Sequence, residues 1–176
     1  LAMTDPWIGE TAADNRFVAF SGPESIPDMI LGRLPVNTTA QASAIVAKIV
    51  AYEQTPVVGT WTNEVLAVAG VADSAGDFAE YSDNLIADTL PFPYQADKIH
   101  YGVTHTDIGE AVAALKSGIN QGKLIVNFIG HGFARGWSAQ KNPPNIFLQT
   151  TDVAAFTNQD KYPIFLAMTC SEGYFI

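Results

Sequence analysis

The sequence predicts an α/β domain of three layers, with helices on both faces of a mostly parallel sheet. Two observations carry that expectation. Apolar runs of strand length alternate with segments of helical periodicity, the repetition a parallel sheet requires. The run at 64–73, "EVLAVAGVAD", is rich in Val and Ala, as a strand covered on both faces should be.

Taken in order, "RFVAF" (16–20) and "DMILGRLPV" (28–36) read as strands or extended segments. Thr38 and Gln41 form a T-x-x-Q capping box, and a helix follows to about Gln54. Ile45, Val46, Ile49 and Val50 share one face of it. After the strand at 64–73, Phe78, Tyr81, Leu85 and Ile86 mark a second helix, ended by "PFP" (91–93). "KIHYGV" (98–103) is a short strand. Ile108, Ala111, Val112, Leu115 and Ile119 make an amphipathic helix that Gly122 stops. "KLIVNFI" (123–129) is a buried strand. A Pro/Asn loop (141–145), a short helix near 151–157 and the strand "YPIFLAMTC" (162–170) complete the pattern.

A chain of 176 residues is sized for one domain with its own core. The formal charge of −9 and the lack of a Lys/Arg cluster argue against a nucleic-acid partner. The longest apolar runs fall far short of the ~20 residues that span a bilayer. Cys170 is the single cysteine, so no internal disulfide forms. The chain begins at Leu1 and stops at "TCSEGYFI", and reads as a piece of a longer protein with other domains.

In open parallel sheets, sites form beyond the carboxyl ends of the strands. Three apolar runs end there in a reactive side chain: Asp73, His131 and Cys170. A thiol becomes a strong nucleophile when a base takes its proton. A histidine within reach serves as that base, and a carboxylate behind the imidazole fixes its tautomer. Glycines on both sides of His131, in "IGHGF", permit close backbone approach. The Gly132 and Cys170 N–H groups are the candidates for an oxyanion hole, with Trp137 as a wall of the cleft.

The segments "PDMILGRLPV", "VADSAGDFAEYSDNL", "NFIGHGFARGW" and "FLAMTCSEGYF" together resemble the gingipain family of cysteine peptidases, whose fold is caspase-like. The likeness runs from about residue 14 to the end. It implies a single peptidase domain over 1–176, incomplete at its carboxyl end, with 1–63 as the amino-terminal part or subdomain of the catalytic unit. It also implies His131 as general base, Cys170 as nucleophile and Asp73 as the carboxylate behind His131. Asp83 falls where arginine-cleaving members keep an acidic group, which implies cleavage after Arg or Lys. The substrates implied are proteins or peptides, and the location is extracellular or at the cell surface. No cofactor is required by that chemistry.

Other readings attach to the same residues. Asp77, Glu80, Asp83 and Asp88 form an acidic cluster that would suit Ca²⁺, although no EF-hand loop is present. His100 and His105 are a weak metal hint and read as surface residues. "GHGFARG" lacks G-x-G-x-x-G spacing and no helix follows it, against a dinucleotide site. No G-x-S-x-G occurs. The alternatives to a peptidase are a non-catalytic binding or adhesion module that keeps the fold, and a transpeptidase-type processing enzyme.

Overall fold

A computed structural model of the chain describes residues 2–5, 9–12, 14–21, 26–141 and 145–172. It divides into two compact units, one formed chiefly by Leu1–Gln54 and one by Thr55–Glu172.

In the first unit, β1 (Ala2–Asp5) and β2 (Gly9–Ala12) pair antiparallel, from Ala2 opposite Ala12 to Asp5 opposite Gly9. The sequence reading lacks this hairpin, because four-residue strands are too short for alternation to register. The segment expected to be extended at 16–20 begins instead inside a 3₁₀ turn, Asp14–Phe17. A short apolar run fits either state, and period alone does not decide between them. The Asp28 carboxylate accepts the N–H groups of Phe20 (2.7 Å) and Ser21 (2.9 Å), which holds its pKa below the ordinary aspartate value. The Arg33 guanidinium pairs with the Asp14 carboxylate. Helix α1 (Thr39–Gln54) opens with the expected capping box. Gln41 N–H donates to Thr38 Oγ1 at 3.1 Å and Thr38 N–H donates to Gln41 Oε1 at 3.2 Å.

The second unit runs β3 (Glu64–Ala69), α2 (Phe78–Thr89), β4 (Gln95–His100), α3 (Ile108–Gln121), β5 (Ile125–Ile129), β6 (His131–Phe133), β7 (Gly136–Ser138), β8 (Ile146–Gln149) and β9 (Ile164–Met168). Its main sheet is parallel throughout, in the order β4-β3-β5-β9. A smaller antiparallel sheet, β6-β7-β8, is inserted between β5 and β9. The short helix expected near 151–157 is a 3₁₀ segment, Thr150–Ala155.

The helices start where side chains cap them. Asp77 accepts the Glu80 N–H (3.0 Å) and Asp107 accepts the Glu110 N–H (2.9 Å). Helix α3 ends at Gly122, whose φ of 96° suits glycine. Alternation along β3 then sorts the layers. Leu66 and Val68 face the core that holds Ala111, Leu115 and Ile119 of α3. Val65 and Ala67 face Leu85 and Ile86 of α2. The two helices therefore cover opposite faces. Right-handed crossovers demand this when the chain steps outward to β4 and then back past β3 to β5.

Candidate active site

That reversal of direction falls at the carboxyl ends of β3 and β5, the usual place for a site in such a sheet. Beyond β3 the chain runs through Gly70 and Val71, whose N–H groups donate to Ile129 O (3.0 Å) and Ala139 O (2.8 Å). It then turns tightly: Asp73 and Gly76 exchange backbone hydrogen bonds at 3.0 and 3.1 Å. The Ala75 N–H donates to Asp73 Oδ1 at 2.8 Å, which leaves Oδ2 free to face β5.

Asp73 Oδ2 lies 2.8 Å from His131 Nε2. The Ala75 N–H and the His131 ring both hold the Asp73 pKa below its ordinary value, so it is a carboxylate at neutral pH. A carboxylate only accepts, so Nε2 carries the proton of a neutral ring and Nδ1 keeps the basic lone pair. The Phe78 ring, first in α2, meets the His131 ring edge-on at 5.3 Å and 88°. Asp73 and His131 are thus brought together as the sequence led us to expect.

Cys170 is exposed. The register of β5 against β9 ends at Ile129 opposite Met168. His131 and Cys170 each stand two residues beyond that pair, at the tips of strands about 4.8 Å apart. The backbones meet closely. A side chain on Gly132 would strike the Cys170 carbonyl and come within 2.6 Å of Thr169 Oγ1. One on Gly130 would come within 2.7 Å of the Phe128 ring. The glycines flanking His131 are therefore explained by what presses on them. The structure does not close a hydrogen bond between the Cys170 sulfur and the His131 ring.

Pairing in the small sheet fixes the direction of the Gly132 amide. The Thr150 N–H donates to Arg135 O (2.9 Å), so along β7 it is Trp137 that turns to β8, while Gly136 and Ser138 turn to β6. His131 and Phe133 carry the β6 bonds, and the Gly132 N–H points away from β7.

Other sequence-derived residues lie elsewhere. Trp137 does not wall a cleft: it is 6% exposed, stacked on Phe128 at 4.6 Å, a core ring drawn in by its apolar area. Its Nε1–H donates to Glu172 Oε1 at 2.8 Å. Asp83 is 48% exposed and lies 2.8 Å from Lys98 Nζ, which helps hold its pKa low. His100 is fully buried rather than at the surface, with Nε2 3.2 Å from Ser82 Oγ. Among the described residues no three His, Cys, Asp or Glu side chains converge on a point that would hold a metal, so Asp77, Glu80, Asp83 and Asp88 form no such cluster. No described helix is long and apolar enough to cross a membrane.

The family model for peptidase family C25 matches residues 3–176. The chain belongs to peptidase family C25. No curated protein matches it in sequence. Among solved structures it is similar to the complex of the Porphyromonas gingivalis RgpB pro- and mature domains, at 21% identity and a TM-score of 0.71. That match covers 99% of this chain and 39% of the other. It is also similar to the Arg-specific cysteine proteinase gingipain R (RGPB), at 22% identity and a TM-score of 0.70, covering 99% of this chain and 38% of that one. The gingipain-type α/β fold is thereby established, and the chain spans about two fifths of the length of these C25 structures.

Proposed function

We propose that this C25 chain supplies the catalytic edge of a cysteine endopeptidase. The observation that carries the reading is the 2.8 Å bond from His131 to Asp73, set at the strand end beside Cys170. In the reaction, His131 Nδ1 takes the thiol proton and the Cys170 sulfur bonds to the substrate carbonyl carbon. The Gly132 and Cys170 N–H groups receive the oxyanion. The imidazolium then protonates the amine nitrogen as the C–N bond breaks, leaving a thioester. Water, losing its proton to His131, releases the acid and restores the thiol. None of these steps needs a cofactor. An apo site is commonly loose, and the sulfur and ring would draw together as substrate binds.

The experiment is alkylation of Cys170 by iodoacetamide near pH 7. Rapid labelling that collapses in His131→Ala supports the reading. Slow labelling indifferent to His131 favours a binding module with an idle cysteine. Peptide turnover should vanish in Cys170→Ala with the fold kept. Added amine nucleophiles that appear in the products would point to a transpeptidase instead.

A preference for Arg or Lys before the cleaved bond belongs to the same proposal, with Asp83 as the anionic partner. A substrate cation would then take the position that Lys98 holds now. An Asp83→Asn variant with unchanged preference would remove Asp83 from that role. Protein or peptide substrates, and a place outside the cell or at its surface, follow from the same reading.

A further inference from the structure

The turn that carries Cys170 is held in an unusual way. Ser171, the next residue, has φ of 62°, a left-handed conformation that non-glycine residues adopt at a cost. Nothing in a serine side chain favours it, so the surroundings must impose it. Two contacts are available. On one side the Cys170 carbonyl and Thr169 press against Gly132. On the other, Glu172 Oε1 accepts the indole N–H of Trp137 at 2.8 Å. The anchor is rigid, because Trp137 is buried and its ring is stacked on Phe128 of β5, the strand that leads into His131. Glu172 itself is exposed, so core packing gives no reason for its carboxylate to settle there.

We propose that Glu172 is a positioning residue: its bond to Trp137 keeps Ser171 left-handed and so fixes where the Cys170 thiol stands relative to His131. The inference rests on the peptidase reading above. The nucleophile and its base sit on different strands, and this bond ties the turn after Cys170 to the core ring that backs β5. An acceptor is what the tether needs, and a negative charge is not. Charge beside a thiol would in fact disfavour the thiolate.

The test uses this chain with four substitutions: Glu172→Ala, Glu172→Gln, Trp137→Phe and, as control, His131→Ala. The readout is the rate of Cys170 alkylation by iodoacetamide across pH, with circular dichroism to confirm folding. Glu172→Ala should slow labelling at pH 7 about tenfold and shift the pH profile of labelling upward. Glu172→Gln keeps an amide oxygen for the indole and should stay within about twofold of the parent. Trp137→Phe keeps the stack but lacks the N–H, and should resemble Glu172→Ala, with the double variant no slower than either. If His131→Ala collapses labelling while Glu172→Ala leaves both rate and pH profile unchanged, the positioning role is overturned and the peptidase reading stands. If Glu172→Gln falls as far as Glu172→Ala, a charge effect replaces the tether and the proposal fails. If His131→Ala changes nothing, the peptidase reading itself is lost. Because Glu172 is exposed, its variants stay informative even should Trp137→Phe unfold.

Discussion

At the scale of single residues, Gly132 is where sequence and chemistry meet. It lacks a side chain because the Cys170 peptide lies against its Cα. Gly132→Ala should therefore push the two strand tips apart. Backbone carbonyls do not rotate away as side chains do, so we expect a loss of about 1–3 kcal/mol in urea unfolding, together with slower Cys170 alkylation. His100 makes a second prediction. Burial lowers its pKa against the partial opposition of Asp83, with Lys98 and His105 lowering it and Asp77 raising it. Its Nδ1 has no hydrogen-bond partner, and the nearest carboxylate oxygen, on Asp83, is 3.7 Å away. The folded chain thus prefers neutral His100. As pH falls below about 6.5 the unfolded state binds the proton first, so stability should decline from there down to the folded pKa. Urea midpoints between pH 7.5 and 5.5 should show that slope, and His100→Gln should flatten it. Asp73, His131 and Cys170 could be picked out beforehand, since each is a reactive type at the end of an apolar run. Glu172 and Ser171 could not. Their meaning lies in a bond to a residue 35 positions away and in a backbone angle, and neither leaves a trace in composition.

At the scale of elements, the periodic segments declared themselves and the short ones did not. Helix α3 was legible because its apolar positions recur at helical spacing and Gly122 closes it. The hairpin β1–β2 and the 3₁₀ turns lack the length for any period to accumulate. Lys123 shows a different gap. It reads as the polar start of a strand, yet its side chain is 2% exposed. Its Nζ lies 2.6 Å from Glu64 Oε2, at the start of β3, and 2.6 Å from Asp97 Oδ2 on β4. One ammonium thereby ties three neighbouring strands at the sheet end opposite Asp73, His131 and Cys170. Burial alone would lower its pKa, but the two carboxylates more than offset this and raise it. That contribution to stability is complete below the unfolded lysine pKa, about 10.4, and is lost as pH rises through the folded one. Neutralising both acids (Glu64→Gln with Asp97→Asn) strands a buried ammonium and should cost about 3–5 kcal/mol. Lys123→Met leaves two carboxylates that water reaches and should cost less. Chemical denaturation of the three proteins decides the order, and a smaller loss for the acid pair would contradict this account.

At the scale of the whole molecule, the sheet order β4-β3-β5-β9 explains why Asp73, His131 and Cys170 gather at one end, and it also leaves β9 at an edge. Among the described residues, β9 pairs on one side with β5 and has no strand on the other. Its side chains are as apolar as those of a central strand, yet Ile164, Phe165, Leu166 and Met168 are 42–54% exposed. Pro163 stands just before it, but within Ile164–Met168 there is no charge, proline or bulge, the devices that keep natural edges from pairing. Prepared as these 176 residues, the chain should therefore self-associate through β9, its backbone groups pairing with those of a second copy. Sedimentation velocity over a range of concentrations should show a rising apparent mass. Ile164→Lys should suppress it, since a lysine on an edge repels its counterpart in the partner. Ile164 opens β9 at the end remote from Cys170, so the same substitution should leave alkylation of Cys170 unchanged. A parent chain that stays monomeric at every concentration would mean that the edge is already satisfied within one molecule, and association unaffected by Ile164→Lys would move the contact away from β9.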